Sequence, residues 1–109
     1  MNQGRSEHGT TLIDGTLYVV AGYDRLVMLN SIEKLDVETA ESAWSMFTVS
    51  GLSPRNDPYV CRLSATQILV AGGWGGSWLK DVNVIDLEAR SALQVTQCEF
   101  GFKCWTGAV

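Results

Sequence analysis

Residues Leu69–Asp81 read LVAGGWGGSWLKD, a short apolar run followed by Gly72, Gly73, Gly75 and Gly76 packed around Trp74, with Trp78 close behind. Glycines placed after a strand serve either a bound phosphate or the backbone alone. A phosphate site needs a helix whose first amides face the anion, and a P-loop adds Lys-Ser/Thr. After Gly76 the chain runs SWLKDVNVIDL, which reads as loop and strand. The glycines are therefore read as backbone features, and the question becomes which fold needs them.

Shifting the sequence by 50 residues answers it. TLYVVAGY (Thr16–Tyr23) falls over TQILVAGG (Thr66–Gly73), and SIEKLDVE (Ser31–Glu38) falls over DVNVIDLE (Asp81–Glu88), without a gap. Thr16, Val20, Ala21, Gly22, Leu29, Asp36 and Glu38 recur as Thr66, Val70, Ala71, Gly72, Leu79, Asp86 and Glu88. Repeats of this length organise a whole fold, so they are read before any motif.

Each unit alternates short β-branched and apolar runs with turn residues, the pattern of strands. Strands are expected near 8–13, 16–22, 31–37 and 44–49, and again near 58–63, 66–72, 81–87 and 92–97. Asp14-Gly15 supplies a tight first hairpin, whereas Ser64-Ala65 at the second is chemically weaker. No window carries a capped i, i+3, i+4, i+7 apolar stripe; the best helical candidate, Val37–Trp44, is short and sits where a turn is wanted. The chain reads as all-β.

With 109 residues, 46% hydrophobic and 18% charged, the chain has the composition of one small folded domain. Its net charge is −4 and its eight Lys and Arg are scattered, which argues against nucleic acid and against an anionic membrane as partners. No apolar run approaches the roughly 20 residues of a membrane helix, and MNQGRSEHG at the start lacks the apolar segment of a secretory signal. A cytoplasmic location is the expectation. Cys61, Cys98 and Cys104 form no CxxC pair and His8 is the single histidine, so neither a metal nor another cofactor is expected. His8 alone also gives no setting for nucleophilic catalysis. Asp36 and Asp86 occupy equivalent turns, where capping explains them better than paired acid–base work.

Four short strands per unit, a period of 50 and glycine closing the second strand resemble the kelch repeat, one blade of a β-propeller. LYVVAGY and ILVAGG resemble that family's strand ending in a glycine doublet, NSIEKLD its third strand, and Trp44 the tryptophan opening its fourth. The resemblance implies two four-stranded antiparallel blades, at 8–50 and 57–97, with 100–109 beginning a third: an incomplete propeller. Tyr23 stands in place of the second glycine of the first doublet, Leu35 and Ile85 in place of an aromatic, and Gln94 in place of the second tryptophan.

A propeller closes with roughly four to eight blades. Two blades would belong to a longer kelch protein, associate with copies of themselves to complete a ring, or pack as an open two-sheet body. Kelch propellers hold partner proteins on the end where the loop between strands two and three meets the connection between blades, and the resemblance implies a non-catalytic protein-interaction module here. The alternative is a part of a larger kelch or galactose oxidase-like propeller without independent function. The loops at that end carry Tyr23, Asp24, Arg25, Arg55, Asn56, Asp57, Trp74, Trp78 and Lys80, types that dominate interface energetics when they are exposed. Trp74 aligns with polar Asp24 and is expected to be exposed; Trp78 aligns with Met28 and would equally well pack between blades.

Overall fold

A computed structural model describes residues 4–39 and 43–97. Its eight strands are β1 (Gly9–Ile13), β2 (Thr16–Tyr23), β3 (Met28–Asp36), β4 (Ser45–Thr48), β5 (Tyr59–Ser64), β6 (Gln67–Ala71), β7 (Asp81–Asp86) and β8 (Ser91–Gln97). They form two four-stranded antiparallel sheets, ordered β1-β2-β3-β4 and β5-β6-β7-β8. This is the expected pair of blades, and among the described residues there is no helix, hence none long and apolar enough to cross a membrane. The expected start of a third unit at 100–109, together with Cys98 and Cys104, lies outside the described residues. Cys61 is a free, half-buried thiol.

The core lies between the sheets. On sheet 1, Val20, Ile32 and Phe47 sit in register across β2, β3 and β4 and face sheet 2. Sheet 2 answers with Ile68, Val70 and Ile85, all fully buried, and the connector between sheets adds Val49 and Leu52. The Arg90 guanidinium covers the Phe47 ring at 4.7 Å, a cation–π contact on the core's edge. The turns after β3 and β7 are held by Asp36 and Asp86, whose Oδ1 atoms accept hydrogen bonds from the backbone of Glu38 and of Glu88 and Ala89. That is the capping role the repeat suggested.

The ungapped alignment needs correction. Thr16 pairs with Asp36, but Gln67 pairs with Asp86, so β6 is displaced by one residue relative to β2. The extra residue is Leu63, which forms a β-bulge between Arg62 and Ser64 in the chemically weaker second hairpin. The loop after β6 then loses one residue: Tyr23 and Met28 bracket Asp24–Val27, whereas Trp74 and Trp78 bracket Gly75–Ser77. The two changes cancel, and a uniform 50-residue period hides both.

The structural counterpart of Trp74 is thus Tyr23, not Asp24. Likewise the glycine pair Gly72-Gly73 (φ 62° and 96°) superposes on Ala21-Gly22 (φ 60° and 106°). Ala21 holds a left-handed conformation inside a bulge of β2, at a cost of roughly 1–2 kcal/mol that glycine at position 72 avoids. Beyond that bulge β2 and β3 pair again through Tyr23 and Met28, which is why β3 begins earlier than expected.

The sheets pack closely at Gly9 of β1, where an added Cβ would lie 2.2 Å from Val60 Cγ2 of β5. Replacing Gly9 by valine should therefore separate β1 from β5 and lower stability by about 1–3 kcal/mol. On a domain of this size the loss reads as a fall in melting temperature of several degrees. Thr10→Val, on an exposed neighbour, should change it little.

Candidate partner-binding face

Two buried arginines organise the end of the molecule where the expected loops meet. Arg5 and Arg55 are 50 residues apart and are 8% and 0% exposed. Arg5 Nη1 donates to the carbonyls of Ala21 (2.9 Å) and Ser31 (3.1 Å), and its Nη2 donates to Ser31 Oγ (3.2 Å) and Glu33 Oε2 (2.8 Å). Arg55 repeats the plan. Its Nη1 donates to the Gly72 carbonyl (3.0 Å) and Asp81 Oδ1 (2.7 Å), its Nη2 to Asp81 Oδ2 (2.7 Å) and Ser53 Oγ (2.9 Å), and its Nε to the Ser53 carbonyl (3.1 Å). The carbonyl that each guanidinium captures belongs to a positive-φ residue, Ala21 in β2 or Gly72 just after β6.

Each arginine has one carboxylate, from a different position. Sheet 1 carries Ser31 and Glu33; sheet 2 carries Asp81 and Asn83 at the equivalent places. Asn83 Nδ2 donates to Asp81 Oδ2 at 2.8 Å, so the amide supports the carboxylate that replaced it as partner. Burial by itself would raise the Asp81 carboxyl. Hydrogen bonds from Arg55 and Asn83, with the Arg55 charge, outweigh it and hold the group below the usual carboxylate range.

The sequence places Arg55 among the exposed contact residues; it is buried, because its guanidinium is consumed by sheet 2 while its backbone belongs to sheet 1. Arg55 N donates to the Leu29 carbonyl (3.0 Å), and Gly22 N donates to the Arg55 carbonyl (2.8 Å). The next residue crosses to the other sheet: Asn56 and Trp74 exchange backbone hydrogen bonds at 2.9 and 2.7 Å. Asp57 N then reaches the Glu7 carbonyl at 2.7 Å. Gly22 and Gly73 permit this crossing, since a Cβ on either would lie 2.8 Å from the Ser6 carbonyl or 2.6 Å from the Asn56 carbonyl. Glycine at these positions serves close backbone approach.

The result is an open groove lined by Glu7, Tyr23, Met28, Asn56 and Trp74. Among the residues singled out by sequence, it brings together Tyr23, Asn56 and Trp74. Asn56 Nδ2 donates to Glu7 Oε2 across it. Trp78 does not pack between the sheets; it stacks edge-on against Trp74, with ring centroids 4.8 Å apart at 69°. The two indoles are 37% and 39% exposed and Tyr23 is 38% exposed. Asp24 turns onto its own loop, where Oδ1 accepts hydrogen bonds from Leu26 N and Val27 N. Arg25 is exposed beside it, its carbonyl accepting a hydrogen bond from the Tyr23 hydroxyl at 2.9 Å. Lys80 is exposed, and Asp57 is half-buried with φ 56°. At the loop tip Leu26 and Val27 are 85% and 56% exposed, an apolar pair that the sequence does not single out.

Glu7 and Arg5 are likewise absent from the residues singled out by sequence. Their signal is the recurrence of Arg5-Ser6-Glu7 as Arg55-Asn56-Asp57, just upstream of the strands used to define the repeat. Among the described residues, no group of three or more His, Cys, Asp or Glu side chains is placed to hold a metal ion.

The Asp81 carboxyl gives a pH signature. Its folded-state value is lowered, so the stability it provides is present above its unfolded value, about 3.9, and is lost as pH falls through the lower folded value. Asp81→Asn should therefore be less stable at neutral pH, and the gap from the native chain should narrow as urea midpoints are followed down into acid. Parallel curves would remove the carboxylate from the account.

None of the curated proteins compared with the chain matches it. Residues 4–46, from the residue before Arg5 into β4, match the family model of the Kelch motif. The match covers the first sheet, with Arg5 at its start and the Ala21-Gly22 bulge within β2, and the second sheet repeats the architecture of the matched one.

Proposed function

We propose that the chain is a kelch-type protein-interaction module that engages its partner through the groove of Glu7, Tyr23, Met28, Asn56 and Trp74, flanked by Arg25, Trp78 and Lys80, and performs no catalysis. Kelch repeats generally mediate protein–protein contacts, which supports the class of function. The observation that carries the choice of surface is Trp74. A large aromatic is left part-exposed on a backbone pinned from both sides by Asn56 and braced by Trp78. An exposed ring that loses little conformational freedom on binding is the kind of residue that becomes a hot spot. Glu7 and Asn56 supply polar groups at its edge, giving the mixed rim such interfaces use.

A photo-crosslinking amino acid at position 74 should capture a protein partner, whereas the same group at Ala65, in the hairpin turn between β5 and β6, should not. With the captured partner in hand, Trp74→Ala should weaken affinity at least tenfold, consistent with a hot-spot loss of about 2 kcal/mol or more. The fold should keep its circular dichroism and lose only the indole pair, about 0.5–1.5 kcal/mol. Unfolding of Trp74→Ala, or equal crosslinking from position 65, would reject this surface.

A further inference from the structure

The interface between the two sheets identifies what its own outer faces are built to meet. Sheet 2 turns Ile68 and Ile85 toward sheet 1, and both are fully buried there. Their register partners identify the equivalent residues of sheet 1: Ile68 pairs with Ile85 as Leu17 pairs with Leu35. Leu17 and Leu35 lie on the face of sheet 1 turned away from sheet 2 and are only half-buried. Leu12, opposite Leu17 in β1, extends that apolar row and is 55% exposed. Met46, opposite Glu33 in β4, adds a fourth apolar residue at 48% exposure.

The opposite surface is equally open. Sheet 1 covers Ile68 and Ile85 with the face that carries Val20, Ile32 and Phe47. In sheet 2 the corresponding outer face carries Leu93, opposite Val84, and Val95, which line a groove with Gln67, Asp86 and Ser91. Leu93 is 69% exposed and Val95 52% exposed. Exposed apolar residues clustered on one sheet face mark an interaction site. The intrachain contact already joins these two kinds of face, so the surface complementary to each is present on the same molecule.

We propose that the chain associates head to tail with copies of itself: the β5–β8 face bearing Leu93 and Val95 packs on the β1–β4 face bearing Leu12, Leu17 and Leu35 of a second copy. The contact reproduces the geometry by which sheet 1 covers Ile68 and Ile85. Because the two faces differ, the interface is heterologous, and repetition closes a ring when the rotation per copy permits. At the two sheets described in each copy, four to eight sheets in a closed propeller correspond to two to four copies. The partner-binding groove lies at the end of the sheets and would stay open in such a ring.

Light scattering coupled to size-exclusion chromatography tests this on the chain itself. The expected mass is two to four times the 11.9 kDa of one chain; a mass of one chain at the highest soluble concentration overturns the proposal. Two double variants then locate the faces. L93K with V95K blocks one surface and L12K with L35K blocks the other, and each alone should run as a monomer with native circular dichroism. Mixed together they retain one intact face each, so they should form a dimer of twice the single-chain mass and nothing larger. Variants that fold and remain multimeric, or a mixture that stays monomeric while the native chain is multimeric, overturn the head-to-tail arrangement. Should either double variant fail to fold, the single substitutions V95K and L12K, at positions more than half exposed, carry the same mixing test.

Discussion

A guanidinium shielded from water is tolerated only when its charge is balanced and its donors are met, since an unpaired buried charge costs several kcal/mol. Arg5 and Arg55 have their charge balanced on the same plan in the two sheets, and their Nη donors are met; Arg55 Nε reaches the Ser53 carbonyl, whereas Arg5 Nε is buried without a hydrogen-bond partner. Each captures the carbonyl of a positive-φ residue, Ala21 in β2 or Gly72 just after β6, and a carboxylate on the third strand, Glu33 or Asp81. The following glycine admits an approaching backbone, and the connector is drawn across both sheets. Removing one guanidinium would therefore do more than delete an ion pair. Loss of the Arg55 guanidinium would free the segment that joins sheet to sheet, and loss of the Arg5 guanidinium the segment that enters β1.

The position of that segment links stability to binding. Arg55 has its side chain in sheet 2 and its main chain on Leu29 and Gly22 of sheet 1, and the next residue, Asn56, pairs with Trp74. A residue held by two sheets fixes their relative placement, and the groove inherits that rigidity. Tyr23 and Trp74, the same position in the two repeats, bracket the groove from either side because the connector passes between them. Within the glycine-rich run, Gly73 and Gly75 give clearance for this passage, facing the Asn56 and Pro54 carbonyls, whereas Gly72 and Gly76 hold positive-φ backbone at 62° and 99°.

Most of the architecture is legible in the sequence, because a strand pattern repeated at a fixed interval constrains both units at once. All eight strands lie close to their expected places, and the capping roles of Asp36 and Asp86 follow from their equivalence. The features that escape the sequence have a common origin. A shift of 50 preserves residue types even though Leu63 inserts one residue and the loop after Trp74 removes one, and a bulge has no strong signature when Arg62-Leu63-Ser64 is as acceptable in a plain strand. The shift consequently matches Trp74 to Asp24, and its exposure, though correctly expected, rests on its equivalence to Tyr23 instead. Arg55 looks like a loop contact because its partner, Asp81, is far away in sequence, and the exchange of Ser31/Glu33 for Asp81/Asn83 conceals the shared ion pair from any comparison by residue identity.

That exchange supplies the most direct test of the arginine-centred account. Four chains are compared by urea unfolding at neutral pH: the native sequence, Glu33→Asn, Ser31→Asp, and the two substitutions together, which give sheet 1 the polar pattern of sheet 2. Glu33→Asn leaves Arg5 without its carboxylate and should cost about 3–5 kcal/mol. The double variant returns a carboxylate to the place Asp81 occupies and should recover more than half of that loss, a coupling of about 2 kcal/mol or more. Additive losses in the double variant would contradict the claim that one buried arginine and one carboxylate, at either of two positions, hold each sheet to the segment that enters it.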